Sequence, residues 1–298
     1  KIIKKSLTDS ISEIIVTTPQ TALFNTPRSD LLSIMDKYRL SAIPLLENGK
    51  VIGLEQLHQV LEKKRYNNPV FLMAGGFGTR LKPLTDNCPK PLLKIGKKPI
   101  LESVMMRFID SGFHDFYIST HFMPELIREY FGNGDKWGVT INYIHESKPL
   151  GTGGALGLLP KDLPLLPIIL MNGDILTKIN LEKLLEFHNT ANACATMCVR
   201  EYSHQVPFGV VEGINNIVKD MVEKPTYQFR VNAGIYVLGR EVIDSVNKNE
   251  SIDMPTLLEK HMSKGVAMYT FHDYWLDIGR IDDYKKAQAD VDRVDIGK

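Results

Sequence analysis

The sequence predicts an α/β fold in which a mixed, mostly parallel sheet carries helices on both faces, preceded by a small α+β unit. From Val70 onward, short apolar runs alternate with amphipathic segments, which is the pattern of strands joined by crossover helices. The 298 residues are 43% hydrophobic and 24% charged, a composition typical of globular proteins. A chain of this length accommodates two units and can bury a large core.

The charge and the cysteines exclude several classes of protein. Lys and Arg number 36 against 35 Asp and Glu, so the basic excess of a nucleic-acid-binding protein is absent. Prolines at 164 and 167 interrupt the longest apolar stretch, residues 163–171, and we therefore expect no membrane span. Three cysteines are too few for a disulfide framework and indicate a reducing, cytoplasmic location.

Residues 1–66 are predicted to form the small unit. An amphipathic helix contains the apolar residues of segment 31–35, and two short strands, 42–46 and 50–54, follow it. Asn48 and Gly49 favour a tight hairpin between these strands. A second helix is expected from about residue 55 to 64, and a polar run ending at Pro69 forms the linker.

Residues 69–298 are predicted to form the larger domain, in which strands and helices alternate. The expected strands are 70–74, 116–120, 140–145 and 168–172, and the expected helices between and after them are 102–111, 123–131, 152–159 and 181–189. After residue 194 strands dominate, at 195–199, 209–212, 218–223 and 231–238, and helices near 254–263 and 282–290 close the domain. Thr152 is expected to cap the helix that it opens.

A glycine-rich loop directly follows the first strand of this domain. Gly75, Gly76 and Gly78 let the backbone approach a ligand closely and direct N–H groups at an anion. The loop lacks the Gly-Lys-Ser/Thr of a Walker A motif, and it has a leucine where the dinucleotide fingerprint needs its third glycine. With these two motifs excluded, the pattern indicates another kind of anion-binding loop, in which Arg80 supplies the positive charge. Lys90 follows on a segment stiffened by prolines.

Several further segments complete a recognisable series. They are Pro-Lys-Pro at 89–91, Glu-Ser-Lys-Pro-Leu-Gly-Thr-Gly-Gly-Ala at 146–155, Asn-Gly-Asp at 172–174, Pro-Phe-Gly-Val at 207–210, Val-Glu-Lys-Pro at 222–225, Val-Asn-Ala-Gly-Ile-Tyr at 231–236 and Tyr-Trp-Leu-Asp-Ile-Gly-Arg at 274–280. Together with the glycine loop, these segments resemble the motifs of the sugar-1-phosphate nucleotidylyltransferases. The resemblance covers about residues 69–290 and implies a Rossmann-like, glycosyltransferase-A-like sheet.

The resemblance also implies the roles of individual residues. Nucleotide-binding roles fall on Leu72, Ala74, Gly75, Gly76, Gly78, Thr79, Glu146 and Gly151, catalytic roles on Arg80, Lys90, Asp174 and Lys224, and sugar-binding roles on Gly209, Glu223 and Asn232. Asp174 and Asp277 are expected to hold Mg²⁺, which prefers carboxylate and phosphate oxygens. The implied partners are a nucleoside triphosphate and a sugar 1-phosphate, with no nucleic acid or membrane.

Residues 12–64 resemble one CBS motif, with an Ile-Pro strand at 43–44, the Asn-Gly turn and Val-Ile-Gly at 51–53. CBS motifs act in pairs, so either a preceding motif or a second chain is expected to supply the other half. Gln56 and Gln59 stand where adenosine-binding CBS motifs carry Thr and Asp. A structural or oligomerising role, and hence a homo-oligomer, is expected rather than a nucleotide sensor.

The base and the sugar are less clearly indicated. The Pro-Leu-Gly-Thr-Gly-Gly segment resembles that of mannose-1-phosphate guanylyltransferases, and a CBS unit ahead of the domain is similar to the glucosamine-1-phosphate guanylyltransferases of legionaminic acid biosynthesis. We therefore expect GTP and an aminohexose 1-phosphate, in the synthesis of a cell-surface polysaccharide. The alternatives are a mannose- or heptose-phosphate guanylyltransferase, a glucose-1-phosphate thymidylyl- or uridylyltransferase, a choline-phosphate cytidylyltransferase and a non-catalytic sensor of sugar nucleotides.

Overall fold

The structure, a computed structural model, describes residues 16–61 apart from 25 and 27, residues 64–291 and residue 293. The chain divides into two units, Lys1–Lys64 and Arg65–Lys298. Tyr66, at the end of the predicted small unit, is part of the larger one, where its ring stacks on Phe113 with centroids 4.9 Å apart. The parts of the N-terminal prediction that fall on residues 1–15, 25, 27, 62 and 63 lie outside the described residues.

The N-terminal unit contains a three-stranded sheet and two helices. Its elements are β1 (Ala22–Leu23), α1 (Arg28–Tyr38), β2 (Ala42–Glu47), β3 (Lys50–Gln56) and α2 (Leu57–Leu61). β2 lies between β1, to which it is parallel, and β3, to which it is antiparallel. The predicted hairpin is confirmed: Asn48 and Gly49 both have positive φ, as a tight turn between twisted strands requires. α2 begins later than expected because β3 stays paired with β2 as far as Gln56.

The larger unit is built on a seven-stranded sheet. The strands of the whole unit, which include those of three small two-stranded sheets, are β4 (Val70–Met73), β5 (Lys94–Ile95), β6 (Lys98–Pro99), β7 (Asp115–Thr120), β8 (Thr140–His145), β9 (Ile168–Asn172), β10 (Ile175–Thr177), β11 (Ala195–Gln205), β12 (Val210–Ile214), β13 (Ile217–Val222), β14 (Thr226–Leu238), β15 (Val266–Thr270) and β16 (Trp275–Asp277). Its helices are α3 (Ile100–Asp110), α4 (Pro124–Phe131), α5 (Gly151–Gly154), α6 (Leu181–Ala191), α7 (Arg240–Asp244), α8 (Met254–Glu259) and α9 (Ile281–Asp290).

The order of strands in the large sheet is β15-β11-β14-β9-β4-β7-β8. Four of the six neighbouring pairs are parallel, and β14 is antiparallel to both of its neighbours. β4 lies where the order reverses, since the chain proceeds to β7 and β8 on one side and returns to β9 on the other. Ligands of open α/β sheets bind beyond the carboxyl ends of strands at such a position.

Apolar cores on both faces of the sheet confirm the predicted fold class. Along β4 the side chains alternate, so Val70 and Leu72 belong to one buried cluster and Phe71 belongs to the other. The first cluster includes Phe108 of α3, and the second includes Leu258 of α8. Among the described residues, no helix has the length and apolar character that crossing a membrane demands.

Three predictions about the larger unit were wrong. The helix expected at 152–159 is one α-helical turn, α5, followed by a 3₁₀ turn, Ala155–Leu158. Thr152 does not cap that helix, because its hydroxyl accepts a hydrogen bond from the backbone N–H of Met254 at the start of α8. Strands β11 and β14 also extend beyond their predicted ends and form a two-stranded ribbon that is exposed beyond Arg200.

Candidate active site

The glycine loop begins at the carboxyl end of β4, at the point where the strand order reverses. Gly78 has φ 64°, a conformation that side chains with a Cβ rarely adopt. Its carbonyl oxygen accepts a hydrogen bond from the Thr85 hydroxyl at 2.9 Å, and a Cβ at this position would lie 2.9 Å from Thr85 Cγ2. The buried side chain of Leu81 anchors the 3₁₀ turn that follows. The loop is therefore held in a shape that glycine permits.

A cavity of about 300 Å³, which we call the glycine-loop cavity, lies beside this loop. Its walls are formed by Met73, Ala74, Gly76, Phe77, Gly78, Thr79, Arg80, Leu81, Lys90, Pro91, Gly173, Asp174 and Gly279. Arg80 and Lys90 supply two positive charges and Asp174 one negative charge. Small backbone-lined walls with two cations suit a polyphosphate.

Lys90 and Asp174 form a direct ion pair, in which Lys90 Nζ donates a hydrogen bond to Asp174 Oδ2. The Lys90 side chain is only 11% exposed. β4 and β9 are parallel neighbours, so the glycine loop and Asp174 leave the same edge of the sheet. Lys90 and Asp174 are 84 residues apart in the sequence, so their contact depends on this pairing of β4 with β9.

Asp277 joins Asp174 through the small antiparallel sheet of β10 and β16. Ile175 pairs with Asp277, and the backbone N–H of Ile278 donates to the carbonyl oxygen of Asp174 at 3.1 Å. Burial raises the pKa of Asp277, the negative charge of Asp174 raises it further, and Lys90 and Arg80 oppose this rise. The two expected metal ligands are therefore close enough to repel each other.

The donor set suits a hard divalent cation held partly by substrate. Among the described residues, no group of three or more His, Cys, Asp or Glu side chains is placed to hold a metal ion. Mg²⁺ commonly takes one or two carboxylates and completes its shell with phosphate oxygens and water. The repulsion between Asp174 and Asp277 is relieved by positive charge, which Lys90 supplies in this structure.

A second cavity, of about 330 Å³, lies next to the first, and we call it the Asn232 cavity. Its walls are formed by Thr152, Asn172, Ile175, Asn232, Ala233, Gly234, Tyr236, Asp253, Pro255, Trp275 and Asp277. The two cavities meet at segments 172–174 and 277–279, because each segment contributes residues to both. The candidate metal ligands Asp174 and Asp277 thus stand at the border between the cavities.

Internal hydrogen bonds hold the polar walls of the Asn232 cavity. Asn232 Oδ1 accepts from the backbone N–H of Gly234 at 2.9 Å, while its Nδ2 donates to the Tyr236 hydroxyl at 2.5 Å. The Trp275 indole N–H donates to the Ala233 carbonyl oxygen at 2.9 Å. By contrast, the buried Oδ1 of Asn172 has no hydrogen-bond partner among the described residues.

Glu146 is a buried carboxylate beside the start of the glycine loop. It follows β8, whose carboxyl end lies at the same edge as that of β4. Its Oε2 accepts from the Leu150 N–H at 3.2 Å, and a Cβ on Gly75 would lie 2.8 Å from Oε1. His121 Nδ1 donates to its carbonyl oxygen at 2.6 Å. Burial raises the pKa of Glu146, and the hydrogen bond from Leu150 partly offsets this.

Three predicted site residues lie on the exposed hairpin region, residues 206–225, between the ends of β11 and β14. Lys224 Nζ and Glu223 Oε1 are 3.9 Å apart and both side chains are exposed. A Cβ on Gly209 would lie 3.0 Å from Glu223 Oε2, so these three residues are neighbours. Lys224 has φ 45°, a left-handed conformation that is uncommon for a lysine. None of the three lines either cavity in the described part of the chain.

The structure therefore groups most, but not all, of the predicted site residues. Around the glycine-loop cavity lie Ala74, Gly76, Gly78, Thr79, Arg80, Lys90 and Asp174. Asn232 and Asp277 line the Asn232 cavity, Gly75 touches Glu146, and Gly151 packs on Ile252 and Asp253. Leu72 points into the core of the sheet and lines neither cavity.

Sequence reasoning did not identify Asn172, Tyr236 or Asp253 as site residues. Asn172 and Tyr236 stand inside quoted motifs, and the position of Asn172 at the end of the predicted strand 168–172 was a usable signal. Asp253 precedes Met-Pro at the start of α8 and resembles an ordinary helix-capping residue. Nothing in the sequence near it indicates a binding site, because its cavity partners are distant along the chain.

Comparison of the sequence with known proteins adds two findings. The sequence profile of the family described as nucleotidyl transferase matches residues 70–293. A mannose-1-phosphate guanyltransferase of Pichia angusta is 33% identical over 226 residues, which cover 72% of this chain and 61% of that protein. The chain thus spans about three-fifths of the length of this curated relative.

Two solved structures share the fold. A putative glucose-1-phosphate thymidylyltransferase from Bacillus anthracis, crystallised with a sucrose, superposes with a TM-score of 0.62 at 22% identity, covering 77% of this chain and 97% of that one. HddC from Yersinia pseudotuberculosis, complexed with GMP-PN, gives a TM-score of 0.58 at 25% identity, covering 74% of this chain and 98% of that one.

Proposed function

Since this chain belongs to the nucleotidyl transferase family, we propose that it is a sugar-1-phosphate nucleotidylyltransferase, which joins a nucleoside triphosphate to a sugar 1-phosphate and releases pyrophosphate. One observation carries the proposal: two adjacent cavities meet at Asp174 and Asp277. One cavity has cations and a glycine loop, as a triphosphate requires, and the other is lined by neutral polar and acidic groups, as a sugar requires.

The reaction is an in-line attack of a sugar-phosphate oxygen on the α-phosphorus. A new P–O bond forms, and the bond to the β-phosphate oxygen breaks, so that pyrophosphate leaves with its electron pair. The nucleophile is already ionised, so no general base is needed, and catalysis consists of positioning and charge neutralisation.

The residues of the glycine-loop cavity have distinct roles in this proposal. Backbone N–H groups of the loop hold the triphosphate, Arg80 stabilises the leaving pyrophosphate, and Lys90 neutralises the α-phosphate. Asp174 and Asp277 would hold Mg²⁺, which when bound spreads positive charge over the phosphate oxygens. If Asp174 held a metal ion, the Lys90 ammonium group, which pairs with that carboxylate here, would be available to phosphate.

The sugar is assigned to the Asn232 cavity and to the hairpin region. Asn232 contributes to the cavity wall, and Lys224, beside Glu223 and Gly209 on the hairpin region, is assigned to the sugar phosphate. The exposed ion pair and the left-handed backbone of Lys224 support a residue held for contact with a ligand.

GTP is the proposed nucleotide. An ionised Glu146 only accepts hydrogen bonds, and guanine presents donors at N1 and at its 2-amino group. The guanyltransferase name of the Pichia angusta relative and the GMP-PN complex of HddC both support a guanine nucleotide. The first candidate sugar is mannose 1-phosphate, after the same relative.

An aminohexose 1-phosphate is the second candidate. Asp253 and Asp277 give the Asn232 cavity two carboxylates, and no Lys, Arg or His stands among its lining residues. An ammonium group is favoured in such surroundings.

The free thiols of Cys88, Cys194 and Cys198 support a reducing, cytoplasmic location.

For the N-terminal unit we propose a CBS-type module with a structural or oligomerising role. The order of its elements, strand, helix, two antiparallel strands and helix, supports this assignment.

The test is pyrophosphate release with Mg²⁺ across a matrix of the common nucleoside triphosphates and several hexose 1-phosphates, including mannose and glucosamine derivatives. We expect GTP to be preferred with one hexose. Release with another base or sugar would keep the mechanism and change the substrate. Tight binding of sugar nucleotides without any release would favour a non-catalytic sensor instead.

A further inference from the structure

Asp253 is held beside the Asn232 cavity by Thr152, which lies 101 residues away in the sequence and lines the same cavity. Its Oδ1 accepts hydrogen bonds from the backbone N–H of Thr152 at 3.0 Å and from the Thr152 hydroxyl at 3.3 Å. The same hydroxyl accepts from the Met254 N–H at 2.8 Å. Both side-chain torsions of Asp253 are therefore constrained, and its position relative to α5 is set.

Only one oxygen of this carboxylate is engaged. In the described part of the chain, Asp253 Oδ2 receives no hydrogen bond and Asp253 forms no ion pair. An ionised carboxylate can accept about four hydrogen bonds. Asp253 thus retains acceptor capacity at the wall of a cavity large enough for a small ligand.

The chemistry of the cavity selects ligands that donate hydrogen bonds. Besides Asp253, the cavity contains the unpartnered, buried Oδ1 of Asn172. A sugar ring offers several hydroxyl donors, and an amino sugar offers an ammonium group. A buried acceptor without a partner is costly, so a donor from the ligand gains free energy at Asn172, whereas Asp253 is exposed and offers the ligand a charged acceptor.

The position of Asp253 separates it from the phosphate-binding groups. Asn172 and Asp277 are close in sequence to Gly173 and Gly279, which line the glycine-loop cavity. Asp253 and Pro255 have no such neighbours and line only the Asn232 cavity. Asp253 is therefore suited to contact the ring of the sugar rather than its phosphate.

We propose that Asp253 is a specificity-determining residue, which recognises one hydrogen-bond-donating substituent of the hexose ring, a hydroxyl or an ammonium group. The proposal rests on the proposed function, because it concerns the sugar of that reaction. Thr152 is the positioning residue, since its backbone N–H and hydroxyl fix the carboxylate and leave the second oxygen for the ligand.

Asp253→Asn is the decisive variant. The Asn side-chain oxygen can keep both hydrogen bonds from Thr152, while the remaining acceptor is replaced by a donating NH₂ group. A second variant, Thr152→Ser, keeps the hydroxyl and serves as a conservative control for the positioning contact. Asp244→Asn removes the same charge from α7, where Asp244 pairs with Arg240 and lines neither cavity.

The experiment measures kcat/KM for the best hexose 1-phosphate and for its monodeoxy and monoamino derivatives, with the wild type and each variant. In the wild type, removing one particular hydroxyl should lower kcat/KM by about 10–100-fold, as expected for a hydrogen bond to a charged group. Asp253→Asn should lower kcat/KM for the parent sugar by a similar factor and lose the discrimination at that ring position.

The remaining measurements separate recognition from a structural effect. KM for the nucleoside triphosphate and the melting temperature of Asp253→Asn should stay at wild-type values, as should all kinetics of Asp244→Asn. If the recognised donor is an ammonium group, the amino derivative at that position is the best wild-type substrate and loses most in Asp253→Asn. If it is a hydroxyl, the parent sugar is best and the amino derivative gives no advantage.

Asp253→Asn with wild-type discrimination across all derivatives would overturn the proposal. An equal loss for every derivative, with a lowered melting temperature, would assign Asp253 a structural role and also overturn it. Absence of pyrophosphate release by the wild type with every substrate pair is a different outcome, which rejects the proposed function and the role of Asp253 with it.

Discussion

At the scale of single residues, the site is dominated by charges that compensate one another. Lys90 is nearly buried and its ammonium group contacts Asp174, whose own charge raises the pKa of the neighbouring Asp277. Breaking one member of such a set leaves the others uncompensated in a poorly solvated place. Each charge at the border of the two cavities is consequently sensitive to substitution.

Arg80→Ala is expected to lower kcat by about 10²–10³-fold, because it removes a cation that contacts charge developing on the leaving group. Arg80 lines the glycine-loop cavity, and its side chain is exposed, so the fold should persist. Steady-state pyrophosphate release measures the effect. Lys82→Ala removes a neighbouring exposed cation that pairs with Asp86 and should leave kcat unchanged. Near-wild-type turnover of Arg80→Ala would remove this residue from the mechanism.

Asp174→Asn is expected to lower kcat at least as much, and also to weaken Mn²⁺ binding measured by electron paramagnetic resonance. The amide keeps the shape of the side chain but loses the negative charge that a divalent cation requires. Asp86→Asn is the matched control, since Asp86 is half-exposed and lines neither cavity. Unchanged Mn²⁺ affinity in Asp174→Asn would show that this residue is not a metal ligand.

Glu146→Gln tests the buried carboxylate through the pH dependence of stability. Burial raises its pKa, so the folded state holds the proton more tightly than the unfolded state. Stability therefore falls as pH rises from the usual value near 4.5 through the raised pKa, and the cost is complete above it. The variant should melt at a higher temperature than the wild type at pH 7, and the difference should vanish at low pH.

The same variant should bind GTP about tenfold more weakly, as expected for losing a hydrogen bond to a charged acceptor. Inosine triphosphate, which lacks the 2-amino group, should be affected less. The exposed Glu186→Gln of α6 is the control for both measurements. A variant that keeps the wild-type preference for GTP over inosine triphosphate would exclude Glu146 from base recognition.

At the scale of elements, the glycine loop shows why neighbouring glycines have different tasks. Around Gly76 there is open space, so a Cβ would project without touching protein, whereas Gly78 combines positive φ with a close contact to Thr85. One glycine keeps room for a ligand, and the other permits the turn.

Gly76→Ala should therefore change the free energy of unfolding by less than about 0.5 kcal/mol, a value typical of neutral surface substitutions. Its KM for the nucleoside triphosphate should nevertheless rise, because the methyl group occupies space beside the loop. Gly78→Ala should destabilise the protein by about 1–3 kcal/mol through backbone strain. Denaturant unfolding and steady-state kinetics measure both effects, and equal destabilisation by the two substitutions would contradict this account.

Element prediction succeeded where one burial pattern covered a whole element. β9 and α6 were located within two residues, since their apolar residues face a core on the sheet. The outer parts of β11 and β14 were not predicted, because side chains on both of their faces are exposed and no period-two pattern results. Backbone pairing between the two strands, which the side-chain pattern does not encode, carries the ribbon.

At the scale of the whole molecule, the two units have separate cores. Among the described residues, the N-terminal core consists of Ala22, Leu31, Met35, Ile43, Leu45 and Val60, while the larger unit has three clusters of its own. A small domain gains little stability from its own core.

We therefore expect calorimetry of the full chain to show a separate, lower transition for the N-terminal unit. The fragment 65–298 should keep the upper transition and retain the rate of pyrophosphate release within about twofold. A twofold change corresponds to much less than about 1.4 kcal/mol, the free energy of a tenfold change. The 298-residue chain measured in parallel is the control. A single transition for the full chain, together with loss of activity in the fragment, would mean that the two units fold and act as one.

The fold class, the glycine loop and most of the residues around it are predictable from the amino-acid sequence alone. Those features depend on local patterns: buried strands, glycines with small neighbours, and cations close to the loop in the chain. Only the tertiary structure brought Asp277 to Asp174, placed Glu146 against Gly75 and joined Thr152 to Asp253. These pairs are far apart in sequence, and the parallel strands and long-range pairing that unite them have no local signal.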